Sequence, residues 1–62
     1  MKVSVMIKLL RADDWFMIGI EGSHRQFRHP RKPGKVTVAG KPSDDLHPKT
    51  EASILWQARL RR

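Results

Sequence analysis

Gly22, Ser23 and His24 stand together and lead into Arg25-Gln26-Phe27-Arg28-His29-Pro30. They open a stretch, Gly22 to Ser43, that holds no Asp or Glu and carries Arg25, Arg28, Arg31, Lys32, Lys35 and Lys41. An imidazole titrates near neutrality and can take or give a proton. A run of cations attracts phosphate. Beside a flexible Gly-Ser turn, the two suit metal-free cleavage of RNA. In that reaction the 2′-hydroxyl attacks the adjacent phosphorus. One group removes the hydroxyl proton, and another protonates the leaving 5′-oxygen. General acid–base help of this kind is typically worth about 10²- to 10⁴-fold. His24 is the candidate for one of these proton transfers.

The other histidines invite less. His29 is an odd number of positions from His24, so on a regular strand it points to the opposite face. It is expected to pack at the strand end against Pro30. His47 lies in a loop and reads as solvated. The three histidines lack metal-ligand spacing, and Asp44-Asp45 reads as a turn pair. No phosphate-binding glycine loop, Ser-His-Asp set or nucleotide fingerprint is present. Neither a metal nor another cofactor is expected.

At 62 residues the chain makes one domain at most. A chain this short buries only about 60% of its unfolded surface. It has no Cys, so neither a disulfide nor Cys-ligated zinc can reinforce it, and this fits a cytoplasmic setting. A formal charge of +7 favours polyanionic or acidic partners. The apolar runs are too short to span a membrane, and the start is too interrupted for a signal peptide.

The elements that must position these residues follow from periodicity. Val3, Met6, Ile7 and Leu10 mark one helix face, with Ser4 as N-cap and a stop near Asp13-Asp14. Trp15 to Ile20 reads as a strand, with Phe16, Ile18 and Ile20 on one side and Trp15 and Met17 on the other. Because both sides are apolar, it is either a central strand with some exposed apolar residues or a surface that a partner covers. His24 to His29 and Lys35 to Val38 read as two further strands, separated by a Pro-Gly turn. Gly40 to Lys49 reads as a loop, its prolines opposing any regular element. Thr50 is expected to cap a final helix whose buried stripe is Ile54, Leu55 and Ala58.

The fold class is therefore α+β. It is a two-layer domain in the order α-β-β-β-α, with a three-stranded antiparallel sheet and both helices on one face. Pairing Arg28 with Lys35 sets Phe27 opposite Val36 and Arg25 beside Val38 on the core side. His24, Gln26, Arg28, Lys35 and Thr37 then project from the open face. Arg28 would lie about 13 Å from His24 along the strand and hold a neighbouring phosphate. Trp56 sits roughly 150° from the centre of the final helix's buried stripe and is expected to be exposed. It is expected to contact another chain, a second copy or a different protein.

Gly22 through Pro30, then Val36-Thr37-Val38, then Ser53-Ile54-Leu55-Trp56-Gln57-Ala58 resemble the HicA mRNA interferase toxins; Ile7-Lys8-Leu9-Leu10 and Trp15 match that family's opening. The similarity spans essentially the whole chain. It implies a double-stranded-RNA-binding-like fold and a prokaryotic toxin that cuts mRNA. It also implies inhibition by a HicB-like antitoxin and a catalytic His at His24. Four positions depart from the family's habit. Asp14 and Arg59 stand where glycine is usual, and Glu21 and Trp56 stand where a basic residue is common.

Two functions fit the residues. The first is an endoribonuclease toxin, with His24 as general acid or base. RNA would be held by Gly22, Ser23, Arg25, Gln26, Arg28, Lys35 and Thr37, and a partner by Phe16, Ile18, Ile20 and Trp56. Association would be as a homodimer or as a hetero-oligomer with the antitoxin. The second is a non-catalytic RNA-binding module that keeps the fold and the charge.

Overall fold

The computed structural model describes residues 1–60. In chain order the elements are α1 (Val3–Ala12), β1 (Phe16–Glu21), β2 (His24–Arg28), β3 (Val36–Ala39) and α2 (Pro48–Gln57). The strands form one antiparallel sheet in the order β1-β2-β3. Val3, Met6 and Leu10 of α1 bury against Phe27, Val36 and Val38 of the sheet, with Trp15, Ile54 and Ala58 completing the core. Both helices thus lie on one face, and the expected α+β domain is what forms.

Helix ends explain how the chain turns between layers. Ser4 does not cap α1. The cap is Lys2, without a side-chain bond, and loop carbonyls do the work instead: Val3 N–H donates to Asp44 O (2.9 Å) and Ser4 N–H to Pro42 O (3.0 Å). Tertiary acceptors satisfy donors that a local side chain would otherwise cap. At the other end Asp14 takes φ 73°. Trp15 N–H reaches back to Leu10 O and Asp14 N–H to Arg11 O, the paired bonds of a Schellman stop. Asp tolerates this left-handed geometry better than most residues, so the stop survives without glycine.

The start of α2 also differs from expectation. It begins at Pro48, two residues before Thr50, and His47 caps it by accepting from Lys49 N–H at Nδ1 (3.1 Å). Proline suits the first helical position because its missing N–H would have no partner there. Glu51 in the first turn accepts from the Met1 ammonium at 2.5 Å. At the far end Arg59 adopts φ 58°, and Leu60 N–H bonds to Leu55 O. Arg59 therefore occupies a second left-handed stop, the position where the resembling family favours glycine.

The sheet holds two departures. β1 is an edge strand, not a central one. Its pairing also slips: Phe16 faces Arg28 and Met17 faces Phe27, but Gly19 faces Gln26 and Ile20 faces Arg25. Ile18 is the extra residue of a bulge. One added residue reverses the parity of a strand. Phe16 therefore shares the open face with Arg28, whereas Ile20 shares the helix side with Arg25. The expected single row of Phe16, Ile18 and Ile20 is broken. β2 and β3 pair as the sequence implied, Phe27 with Val36 and Arg25 with Val38.

A polar clasp joins the layers at one end. The His29 side chain is only 2% exposed. Its Nδ1 accepts from Arg31 N–H (3.0 Å) and Lys32 N–H (2.9 Å). Its Nε2 then carries the proton and donates to Asp13 O (2.6 Å). The ring also meets Trp15 edge-on, with centroids 5.2 Å apart. Lys32 pairs with the Asp13 carboxylate and donates to Ala58 O (3.0 Å). His29 is thus bound to the end of α1 rather than resting on Pro30.

The Lys32 hydrogen bond holds the Asp13 carboxyl below its ordinary value near 3.8. Partial burial opposes this, while the charge of Lys32 reinforces it. A carboxyl depressed by folding contributes stability that is complete above its unfolded value and lost as pH falls through its folded value. Asp13→Asn should therefore be less stable than the native chain by a constant margin above about pH 5, and that margin should shrink below about pH 4. Urea unfolding across this range reads the effect. A margin that stays level into acid would show that the carboxylate charge does not hold the clasp.

Candidate functional site

The site begins with a turn. Gly22 has φ 60° and Ser23 does not share a positive φ, the pattern of a two-residue II′ hairpin, which takes glycine first. The turn joins Glu21 to His24 as cross-strand partners. His24 is exposed, paired with Glu21 on one side and Ala39 on the other. Paired residues share a face, so Glu21 rises beside His24 on the open side of the sheet. Glu21 is the acid within the site, and it moderates the local positive field.

Along β2 the open face continues through Gln26 and then Arg28. Gln26 lies between Gly19 and Thr37, and His24 has Ala39 as its β3 neighbour. A side-chain carbon added at Gly19 would meet nothing within 4 Å. The floor around His24 and Gln26 is therefore low, which allows an extended polymer backbone to approach. Gly19 and Ala39 were not singled out in the sequence. A lone glycine inside the apolar run 16–20 was the available signal, because it marks a bulge or a close approach.

The basic run divides. Arg31 pairs with Asp14 at 3.3 Å and Lys32 with Asp13, so both belong to the clasp. Arg25 lies on the helix side with Val38, and its Nη1 donates to Gly40 O at 2.7 Å. Arg28, Lys35 and Lys41 are exposed. Of the residues expected at RNA, His24, Gln26, Arg28 and Thr37 share the open face, Lys35 lies just before β3, and Gly22 and Ser23 form the turn beside them. Arg25 stands behind the sheet.

Apolar side chains are also exposed on both sides of the sheet. Phe16 is 50%, Ile18 49% and Ile20 60% exposed along the β1 edge, and Trp56 of α2 is 60% exposed. Trp56 is thus as exposed as the helix geometry implied. Among the described residues no group of three or more His, Cys, Asp or Glu side chains could hold a metal ion. No helix of these residues is long and apolar enough to cross a membrane.

The chain is a small α+β domain with one open sheet face, on which His24 stands beside the first hairpin turn. The family model for the HicA toxin of bacterial toxin–antitoxin systems matches residues 4–60. The chain belongs to the HicA toxin family, whose members are the toxin halves of toxin–antitoxin pairs. Among curated proteins no significant match is found.

Proposed function

We propose that this chain is an mRNA-cleaving endoribonuclease toxin, with His24 as the general acid or base. One observation carries this reading: His24 projects from a tight turn onto the open sheet face, in line with Gln26 and Arg28 and above small neighbours. RNA lying along β2 would place one phosphate at His24 and a neighbouring one near Arg28 and Lys35. Attack of the 2′-oxygen on phosphorus forms the new P–O bond as the P–O5′ bond breaks. The products are a 2′,3′-cyclic phosphate and a 5′-hydroxyl. His24 carries one proton transfer of this exchange. Gln26 and Thr37 hydrogen-bond the backbone, and the turn amides of Gly22 and Ser23 face the same substrate. The reaction needs no metal.

His24→Ala should abolish cutting while leaving fold and RNA affinity in place. Gel assays with and without EDTA, alongside growth after induction, provide the test. Cleavage that survives in His24→Ala, or stops with EDTA, defeats the mechanism. A native chain that binds RNA and never cuts it is instead a non-catalytic RNA-binding module.

Binding should weaken as salt rises, because cations on the protein displace counterions from RNA. Each neutralised phosphate of a single strand contributes about −0.7 to the log–log slope. Replacing Arg28 and Lys35 together with Met should flatten that slope by about 0.7, because the two cations face one phosphate. An unaltered slope would put the RNA elsewhere.

The antitoxin partner is assigned to the open face and the apolar β1 edge, where it would cover His24 directly. The chain's charge calls for an acidic surface opposite Arg28 and Lys35, and the exposed Phe16 and Ile18 call for an apolar one beside it. Ile18→Lys should weaken antitoxin binding by about tenfold or more, the loss typical of a buried anchor. Trp56→Lys reads whether α2 joins the same interface or a contact between copies. Calorimetry and sedimentation distinguish these outcomes. Full affinity in Ile18→Lys would remove the β1 edge from the interface.

A further inference from the structure

Arg25 follows His24 in sequence but faces the opposite way. Its Cα partner is Val38, on the side of the buried core. Nη1 donates to the Gly40 carbonyl at 2.7 Å and reaches the Ser23 carbonyl at 3.5 Å. The Ser23 carbonyl also accepts from Gly40 N–H at 3.2 Å. Gly40 has φ 111°, and a side-chain carbon there would lie 3.3 Å from Val3 of α1. One guanidinium thus spans the turn before His24 and the end of β3, which is itself seated against the first helix. Arginine suits this task because Nη1 carries two N–H donors held in the guanidinium plane, one for each carbonyl.

We propose that Arg25 is the positioning residue of the His24 turn, acting from behind the sheet and not as an RNA contact. The proposal rests on the reading of His24 as the proton-transfer group. The turn is short and exposed, so the imidazole's place relative to phosphorus depends on what anchors Ser23. A misplacement of about 1 Å at a reacting group can cost on the order of 10²-fold in rate.

The test compares the native chain with Arg25→Met and Arg25→Lys on a short single-stranded RNA. Arg25→Met should lower kcat by about 10- to 100-fold, with KM and salt slope held within about twofold. Arg25→Lys keeps the charge but its ammonium ends one bond short of Nη1, so the 2.7 Å bond to Gly40 O is lost or weakened, KM stays native and kcat recovers only in part. A raised KM and flatter salt slope at native kcat in Arg25→Met, reversed by Lys, would make Arg25 a phosphate contact and overturn the proposal. Native kcat in both variants would overturn it too. Should Arg25→Met fail to fold, Arg25→Lys decides alone: lowered kcat at native KM supports positioning, and native kcat refutes it. A second readout needs no catalysis. Below the melting temperature, Arg25→Met should lose hydrogen-exchange protection at Gly40 N–H and shift the His24 ring signals, while Trp15 and Phe27 signals stay in place. Unmoved Gly40 and His24 signals refute the proposal. If the native chain cuts no RNA, the proposed function falls and this readout still judges Arg25.

Discussion

The contact on which the other elements depend is the clasp around Asp13 and His29. It gathers the end of α1, the end of β2, the following loop and the end of α2 into one hydrogen-bonded group. Each partner does two jobs. His29 accepts two backbone donors and donates to one carbonyl. Lys32 meets a carboxylate and a helix-end carbonyl. Buried polar groups stabilise only when they are satisfied, and the clasp satisfies these. Trp15 seals it from the apolar side. Its indole N–H makes no hydrogen bond of normal geometry, though it lies near enough to Asp13 to favour the carboxylate slightly.

The clasp also divides the chain's charge. Two of the six cations in the acid-free stretch, Arg31 and Lys32, face acids from the end of α1. A third, Arg25, faces backbone carbonyls. Arg28, Lys35 and Lys41 are exposed. Arg28 and Lys35 lie at one end of the β2–β3 pair and Lys41 follows its other end, next to the His24 turn. Glu21, the cross-strand partner of His24, offsets positive charge at the turn.

The edge strand adds a different constraint. An exposed, apolar edge is an aggregation hazard, and bulges blunt such edges by interrupting regular pairing. The bulge at Ile18 has that effect, and by reversing parity it spreads apolar side chains over both sides of the strand. A partner that covers β1 must therefore wrap the edge as well as lie on the open face.

Local pattern alone determined the element order, the core stripe of each helix, the pairing of β2 with β3 and the placing of His24 with Gln26 and Arg28. The reason is that period-2 and period-3.6 burial are written directly into residue spacing. The exposure of Trp56 was legible for the same reason, whereas glycine's usual place at Asp14 in the resembling family, and not periodicity, pointed to a left-handed stop there. What only the tertiary structure decided were matters of which distant group answers a given donor or charge. Ser4 lost its capping role to carbonyls of Pro42 and Asp44, His29 found Asp13, and Arg31 and Lys32 found their acids. Arg25 found Gly40. The β1 bulge belongs here too, because one extra residue becomes visible only when two strands are laid side by side. Periodicity tells a side chain which way to face. Its partner is set by how the layers close, and for this chain that difference separates the exposed cations Arg28, Lys35 and Lys41 from those that hold the fold.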